Sequence, residues 1–286
     1  MDIVATSKIL SGGDAVPTTA FDEHERSRWA GRAAAYDGSF AALCAHPAPA
    51  LLDAAGVAVG MRVLDAGTGS GTVAALASAR GATVVAVDAE PSMVELVRGR
   101  VPSAEVRLAA LPYLPFPTGH FDAAVANFVI NHVGDPVAAI SELRRVVRPA
   151  GRIAVTIWPD PPPEAQRLWG AVFDAAGVQR PTSVPTVDAE RDFPRTPDGF
   201  AGLLDAAGLA DARCDPITWA HRTHPDAWWS GPANGISKAG LVLAAQPPEV
   251  ITRIRAAYDE LTAAYRDADG LLVLPTAALL ASASVP

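Results

Sequence analysis

Between Met61 and Trp158 the sequence alternates regularly between strand-like apolar runs and amphipathic segments, and this alternation limits the fold more than any other feature. The strand-like runs are 62–67, 82–89, 104–110, 121–129 and 151–158, and the helical segments include 72–80, 91–100 and 135–149. Near-continuous apolar strands separated by amphipathic helices are typical of a parallel sheet covered on both faces. Two further strand-like segments follow at 211–223 and 271–285. We therefore predict an α/β fold with an open, mostly parallel seven-stranded sheet, helices on both faces and helical lid insertions.

The segments on either side of this core suggest how the chain is divided. The residues before about Phe21 are small and polar, and we expect them to form a loose arm. A covering helix follows, in which Trp29 and Tyr36 share one helical face and Gly38 is a point of interruption. Helical segments and the last two strands alternate after Trp158. The expected parts are an arm and covering helix at 1–50, a core at 51–158, and a helical substrate cover interleaved with the last strands at 159–286.

The charge and the cysteine content exclude several classes of function. The net charge is -8 and the pI is about 5.2, which disfavours a nucleic-acid partner because such binding depends on Lys and Arg neutralising phosphates. Cys44 and Cys214 are far apart and outside any Cys-x-x-Cys spacing, so we expect no disulfide framework and no metal site. No targeting pattern and no membrane-spanning apolar run is evident. We expect a cytoplasmic protein with a small-molecule substrate, without a membrane partner, and we leave a homodimer open.

The glycine-rich turn after the first strand is the strongest candidate for a ligand site. The stretch "RVLDAGTGSGT" (62–72) places glycines at alternate positions, where the backbone can approach a ligand closely. Ligands of open α/β sheets bind at the carboxyl edge. A dinucleotide pyrophosphate favours Gly-x-Gly-x-x-Gly with no anion nearby, but Gly71 comes one position early and Asp65 adds a carboxylate. A carboxylate there suits an ammonium group better than a pyrophosphate.

A second acidic residue supports the same interpretation. Asp88 ends the second strand, where a carboxylate can accept both hydroxyls of a ribose. A ribose joined to a positively charged amino-acid tail describes S-adenosylmethionine. Asp65 and Asp88 could also serve as a helix cap and an ordinary turn acid, respectively.

Four motifs resemble the class I, Rossmann-like S-adenosylmethionine-dependent methyltransferases, in particular the small-molecule branch similar to the ubiquinone and menaquinone biosynthesis enzymes. The motifs are "VLDAGTGSG" (63–71), "VVAVDAEPSMVELVR" (84–98), "LPYLPFPTGHFDAAVANFVINHVGDP" (111–136) and "AISELRRVVRPAGRIAVTIW" (139–158). In this order and at this spacing they are specific together, whereas the glycine turn alone is weak. The resemblance covers roughly residues 25–158.

The resemblance implies a role for each of several positions. Because the family's usual aspartate for the adenine amino group is replaced by Ala110, that contact is expected from the backbone or from water. The implied cofactor contacts are Asp65, Gly67, Thr68 and Gly69 for the methionine end, Asp88 and Ala89 for the ribose, Met93, Ala110 and Leu111 for the adenine, Asn127 and Phe128 beside the transferable methyl, and Tyr36 with Trp29 closing over the cofactor. Core packing is the alternative for Met93, and docking of the helix for Tyr36 and Trp29.

Histidines and tryptophans near the predicted sheet edge are candidates for contact with a substrate. His132 lies just beyond the fourth strand and is the candidate general base, should the acceptor be a hydroxyl; the alternative is a bond to a backbone group. In "WAHRTHPDAWW" (219–229), His221, His224, Trp228 and Trp229 either wall a substrate pocket or anchor the added helices. Packing is the safer expectation for both tryptophans.

The sequence thus predicts an enzyme that transfers a methyl group from S-adenosylmethionine to a small aromatic or apolar metabolite, with secondary metabolism as its setting. Methyl transfer requires mainly in-line placement of the nucleophile and exclusion of water. Two alternatives stay open. A nicotinamide-dependent oxidoreductase shares the sheet and Asp88, and a non-catalytic subunit could keep the fold and bind the cofactor without turnover.

Overall fold

The structure, a computed structural model, describes residues 18–181 and 184–286. The predicted loose arm therefore lies almost entirely outside the described residues. The described part contains a seven-stranded sheet in the order β3-β2-β1-β4-β5-β7-β6. The strands are β1 (Arg62–Ala66), β2 (Thr83–Asp88), β3 (Glu105–Leu108), β4 (Phe121–Asn127), β5 (Val147–Ile157), β6 (Ala210–Thr223) and β7 (Leu272–Ser284). The pairs among β1 to β5 are parallel, and β7 runs antiparallel to β5 and β6. The predicted open, mostly parallel sheet is confirmed.

Helices connect the strands and cover both faces of the sheet. They are α1 (Ala20–Trp29), α2 (Ala33–Asp37), α3 (Ala41–Ala45), α4 (Ala48–Ala54), α5 (Thr72–Ala79), α6 (Pro91–Arg100), α7 (Pro136–Val146), α8 (Glu164–Ala175), α9 (Pro197–Ala206), α10 (Pro225–Ala233), α11 (Ser237–Ala244) and α12 (Pro248–Thr262). Their starts follow the expected chemistry. Asp135 Oδ1 accepts from the N–H of Ala138 at 2.9 Å ahead of Pro136, and Thr196 Oγ1 accepts from the N–H of Gly199 at 3.2 Å.

The core lies on both sides of the parallel strands because neighbouring residues of a strand point to opposite faces. In β1, Val63 packs in the layer under α4, α5 and α6, and Leu64 packs in the layer under α7 and α9; both are 0% exposed. Burial on both faces explains why the strands read as almost continuous apolar runs. Because helices cover both faces of the sheet, the loops that follow the parallel strands come together at its carboxyl edge.

The covering segment before β1 differs from the single helix that the periodicity predicts. It forms α1, α2 and α3, with breaks near Gly31 and Gly38. Gly31 has a φ of +69°, which ends α1, and its N–H donates to Glu90 Oε1 at 3.0 Å. The expected interruption at Gly38 is present, and the break at Gly31 is additional.

The last two strands extend beyond the sheet. The pairing of β5 with β7 ends at Ile157 and Leu279, but β6 and β7 continue to pair as far as Thr223 and Leu272. This extension, residues 217–223 and 272–278, is called the ribbon below. One face packs against α8, α10, α11 and α12, where Leu272 and Leu274 are 0% exposed. The ribbon therefore joins the helical cover to the sheet. No helix in the described ranges is long and apolar enough to cross a membrane.

Truncating the ribbon's buried side chain tests this junction. Leu274→Ala should lower the free energy of unfolding by about 2–5 kcal/mol, because it leaves a cavity between the ribbon and the helical cover. Thr218→Ala, on the exposed outer face of the same ribbon, should change it by less than about 0.5 kcal/mol. Urea denaturation followed by circular dichroism measures both. Equal effects of the two changes would contradict the assigned faces.

Candidate functional site

The glycine turn between β1 and α5 brings the backbone to the carboxyl edge of the sheet. The N–H groups of Gly67 and Thr68 donate to the carbonyl of Val87 in β2, at 2.8 and 2.9 Å. Gly67 has a φ of +69°, and a Cβ there would lie 2.4 Å from Val129 Cγ2. At Gly69, by contrast, a Cβ would point toward the ring of Tyr36, at 3.4 Å. Only glycine therefore fits at position 67. At position 69 the absence of a side chain leaves the backbone free beneath the ring of Tyr36.

Asp65 is a buried carboxyl beside this turn. It is 1% exposed, and its Oδ2 accepts a hydrogen bond from Thr68 Oγ1 at 2.7 Å. Burial, with a contribution from the nearby Asp88, raises the pKa of Asp65 to about 7, even though the Thr68 hydroxyl and the N–H of Ala74 act in the opposite direction. Within the described ranges no salt bridge to Asp65 is present. The carboxyl is thus placed to receive a cation that the protein does not supply.

Asp88 ends β2 next to the same turn. Its Oδ2 accepts from the N–H of Gly69 and its Oδ1 from the N–H of Glu90, both at 2.9 Å. Burial raises the pKa of Asp88, while these two backbone bonds act against the rise. Each carboxylate oxygen keeps a lone pair. The side chain is therefore fixed in position and can still accept hydroxyl groups of a ligand.

The end of β4 forms the opposite wall. Asn127 Nδ2 donates to the carbonyl of Cys44 in α3 at 2.8 Å, and Thr156 Oγ1 donates to Asn127 Oδ1 at 2.7 Å. Phe128 follows with a φ of +59°, a conformation that a bulky side chain rarely adopts. Its N–H donates to Thr156 Oγ1 at 2.9 Å. Hydrogen bonds thus hold a strained residue at the point where the strand leaves the sheet, which is typical of functional sites.

These elements border a crevice with about 310 Å³ of empty space, the open solvent at its mouth included. It is lined by Tyr36, Ala41, Cys44, Ala45, Asp65, Gly67, Thr68, Gly69, Ser70, Thr72, Val73 and Asn127. Six of the positions expected to contact a cofactor are therefore brought together: Tyr36, Asp65, Gly67, Thr68, Gly69 and Asn127. The half-buried Tyr36 closes the crevice from the side of the covering helices.

The residues expected to hold the adenine, and Ala89 with them, lie next to this crevice and not in its lining. Met93, in the first turn of α6, is 3% exposed, and Leu111 is 8% exposed. Ala110 follows β3, and its carbonyl accepts from the N–H of Tyr113 at 2.8 Å. Ala89 is exposed at the end of β2. All four lie at the carboxyl edge beyond β2 and β3, on the Asp88 side of the glycine turn.

His132 does not line the crevice in the described structure but belongs to a neighbouring polar cluster. Its Nδ1 lies 2.6 Å from Oε2 of Glu25 in α1, and Arg28 Nη1 lies 2.7 Å from Oε1 of the same carboxylate. Although burial alone would raise the pKa of Glu25, the bonds to His132 and Arg28 lower it to about 2. Because Glu25 is ionised, His132 Nδ1 is the donor. Trp29 contacts His132 edge-on, with ring centroids 5.5 Å apart.

Sequence reasoning missed Glu25, Cys44 and Trp158 as parts of this region. Glu25 looks like one of several surface charges of an amphipathic helix, and only the fold shows that it is 6% exposed. Among the residues named in 219–229, Trp228 is 2% exposed in the helical cover, and Trp229 packs at its border. His224 is exposed at the start of α10.

Comparison with known proteins identifies the core. A family model described as a methyltransferase domain matches residues 64–155, which run from β1 into β5. This match assigns residues 64–155 to a methyltransferase domain.

Relatives of the methyltransferase domain act on different molecules. Demethylmenaquinone methyltransferase of Beutenbergia cavernae is 39% identical over 113 residues, which are 40% of this chain and 47% of that protein. Malonyl-acyl-carrier-protein O-methyltransferase of Salmonella typhimurium is 36% identical over 147 residues, 51% of this chain and 59% of that protein. The chain thus spans about half the length of the curated relatives it matches. An S-adenosylmethionine-dependent methyltransferase of known structure from Thermotoga maritima has the same fold, with a TM-score of 0.52 at 15% identity, over 92% of this chain and 100% of that chain.

S-adenosylmethionine is the cofactor of such methyltransferases, and the chemistry of the residues at the crevice suits it. Asp65 would offer its buried carboxyl to the ammonium group of the methionine end. Gly69 would offer its backbone beneath Tyr36, and Asp88 would accept the ribose hydroxyls. A dinucleotide pyrophosphate, by contrast, would lie against one buried and one half-buried carboxyl group.

The pH dependence of stability tests the buried Asp65. Because the pKa of Asp65 rises from 3.8 to about 7 on folding, the folded protein binds the extra proton between these values. The free energy of unfolding should therefore fall as the pH increases from about 4 to about 7. Asp65→Asn should remove up to about 4 kcal/mol of this fall, as measured by urea denaturation across that range. Asp53→Asn, an exposed carboxylate paired with Arg80, is the control. The same pH dependence in Asp65→Asn and in the parent would contradict the assignment.

Proposed function

We propose that the protein transfers a methyl group from S-adenosylmethionine to a small, flat aromatic or otherwise apolar metabolite. The observation that carries the proposal is the pair of carboxyls, the buried Asp65 and the half-buried Asp88, at the ends of adjacent parallel strands beside a glycine turn. Such a pair suits a nucleoside with a cationic tail. The bound cofactor supplies a methyl group that is already activated on a sulfonium.

The proposal divides the work among the three parts of the chain. Residues 51–158 hold the cofactor, and 1–50 with 159–286 exclude water and shape the acceptor pocket. Tyr36 closes the crevice over Gly69, and the hydrogen bond from Asn127 to the Cys44 carbonyl holds α3 against the end of β4. Orientation by such a closed site can contribute several kcal/mol to methyl transfer. A cytoplasmic location and the lack of a nucleic-acid or membrane partner belong to the same proposal, supported by the net charge of -8.

Cofactor binding is tested at Asp88. In Asp88→Asn one carboxylate oxygen becomes an amide NH₂, which faces N–H donors and cannot accept a ribose hydroxyl. The dissociation constant for S-adenosylmethionine should rise about ten- to a hundredfold, measured by isothermal titration calorimetry. Asp53→Asn should leave it unchanged. Undiminished binding of S-adenosylmethionine by Asp88→Asn would show that Asp88 does not contact the cofactor.

Two further measurements separate the alternative functions. Thermal shifts with S-adenosylmethionine and NAD in parallel distinguish a methyltransferase from an oxidoreductase, because only the matching cofactor stabilises the fold by binding. Formation of S-adenosylhomocysteine with an acceptor excludes a non-catalytic subunit. Binding without turnover across a broad acceptor panel would favour that subunit.

For a hydroxyl acceptor, we propose that His132 removes the proton. Glu25 holds Nδ1 as the donor, which leaves Nε2 as the basic nitrogen, the orientation that a carboxylate imposes on a catalytic histidine. Trp29 lies between His132 and Tyr36, with ring centroids 5.5 and 5.6 Å away, so one aromatic side chain separates the imidazole from the crevice. The acceptor would have to reach this side of the crevice.

Replacing the imidazole tests this role. His132→Asn keeps an amide N–H for Glu25 but has no basic nitrogen, so kcat with a phenolic acceptor should fall about 10²- to 10⁴-fold. The affinity for S-adenosylmethionine should not change. His120→Asn, near the opposite edge of the sheet and stacked on Phe116, is the matched control. An unaltered kcat and pH profile in His132→Asn would show that His132 only fastens α1.

A further inference from the structure

The face of the ribbon that packs against the helical cover is called its inner face below. This face also adjoins the crevice. Trp219 and Thr276 are cross-strand partners on this face, and His221 with Leu274 is the next pair along it. Ala278, also on this face, packs in one cluster with Cys44 and Phe128, residues of the crevice wall and of the end of β4. A molecule lying against the ribbon would therefore touch the surroundings of the transferable methyl group.

A series of nearly parallel aromatic rings extends from the end of β4 to this face. Phe128 stacks on Trp158, with centroids 4.0 Å apart and an interplanar angle of 20°. Trp158 and Trp219 are 6.4 Å apart at 30°, and Trp219 stacks on His46 at 4.7 Å and 9°. Trp158 and Trp219 are half-buried and His46 is exposed. Rings stacked in this way present a flat apolar surface, on which a further flat ring can stack.

This face and helix α10, which packs on it, carry buried polar atoms that have no hydrogen-bond partner within the described residues. They are Trp219 Nε1, His221 Nε2, Trp228 Nε1 and Thr276 Oγ1, four of the eight such atoms in the described structure. Thr276, His221 and Trp228 are only 5%, 6% and 2% exposed, and the rings of His221 and Trp228 lie 5.7 Å apart. Buried polar groups in proteins are nearly always paired, so this cluster requires an explanation.

Several other buried hydroxyls in the described residues do have partners, although Ser78 Oγ does not. Thr156 Oγ1 donates to Asn127, Thr262 Oγ1 to the carbonyl of Tyr258, and Ser39 Oγ to the carbonyl of Ala35. The indole N–H of a tryptophan can only donate. Burial, with a contribution from His46, lowers the pKa of His221 to about 4. The imidazole of His221 is therefore uncharged at neutral pH. The four groups of this cluster therefore carry no charge, and most of them are hydrogen-bond donors.

We propose that the inner face of the ribbon is the acceptor subsite and that it takes a flat aromatic substrate bearing a carbonyl oxygen. This inference rests on the proposed methyl transfer. The aromatic body lies along Phe128, Trp158 and Trp219, and the oxygen accepts from Trp219 Nε1 and Thr276 Oγ1. These donors select for oxygen, since a hydrocarbon would leave them unpaired.

A matched pair of probes tests the oxygen contact. 6-Acetyl-2-naphthol and 6-ethyl-2-naphthol share the ring and the hydroxyl but differ in the carbonyl. We expect the acetyl compound to bind the parent protein more tightly, measured by calorimetry with S-adenosylhomocysteine present. Thr276→Val removes the hydroxyl at constant shape and should weaken acetyl binding about tenfold, leave ethyl binding unchanged, and keep or raise the melting temperature. Trp219→Phe, which keeps an aromatic ring, should act in the same direction.

The control is Thr218→Val, on the exposed outer face next to Trp219, which should alter neither affinity. Equal affinities of the parent for both naphthols, failure of both to bind, or equal weakening of both by Thr276→Val and Trp219→Phe would overturn the inference. Titration with S-adenosylmethionine alone separates this failure from that of the proposed function. Intact cofactor binding with no preference for the carbonyl rejects only the subsite, whereas loss of cofactor binding in the parent protein rejects the proposed function itself.

Discussion

The constraint on which the site depends is the placement of two carboxyl groups, the buried Asp65 and the half-buried Asp88, at the carboxyl edge of the sheet. Adjacent parallel strands end at the same edge, so these residues come together as a consequence of the β1–β2 pairing. Burial raises the pKa of both groups, and the charge on Asp88 contributes to the rise at Asp65. Backbone N–H groups and the Thr68 hydroxyl offset only part of this cost. A cationic ligand would relieve the rest.

The two covers of the crevice are attached in different ways. Polar contacts fasten the covering helices α1 and α2 to the core: Asp22 to the N–H of Gly134, Glu25 to His132, the N–H of Gly31 to Glu90, and Asp37 to Arg100. An apolar core instead joins α8, α10, α11 and α12 to the ribbon. Breaking hydrogen bonds that water can replace costs less than exposing an apolar core. The attachment of α1 and α2 is therefore the more polar of the two.

The fold could be predicted from the sequence where local pattern and tertiary structure agree. Strands buried on both faces and helix starts such as Asp135–Pro136 carry their own signals, so the parallel sheet followed from them. The glycine turn with Asp65 and Asp88 could be predicted equally well, because each of these positions lies at the carboxyl end of a strand. The roles of Glu25 and of the unpaired Thr276 hydroxyl could not be predicted, since neither residue belongs to a periodic pattern or a motif. Both become buried only when distant segments of the chain pack together. The ribbon was missed for a related reason: the length of a strand does not show where its partner ends.

Phe128 connects the cofactor crevice with the aromatic face of the ribbon. Its positive φ costs about 1–3 kcal/mol, and the hydrogen bond from its N–H to Thr156 helps to hold it. The same Thr156 hydroxyl donates to Asn127, which lines the crevice, so one buried side chain fixes both residues. The strained turn directs the ring of Phe128 onto Trp158, the first step of the aromatic series toward Trp219. The strained turn therefore holds the crevice and the aromatic face of the ribbon side by side.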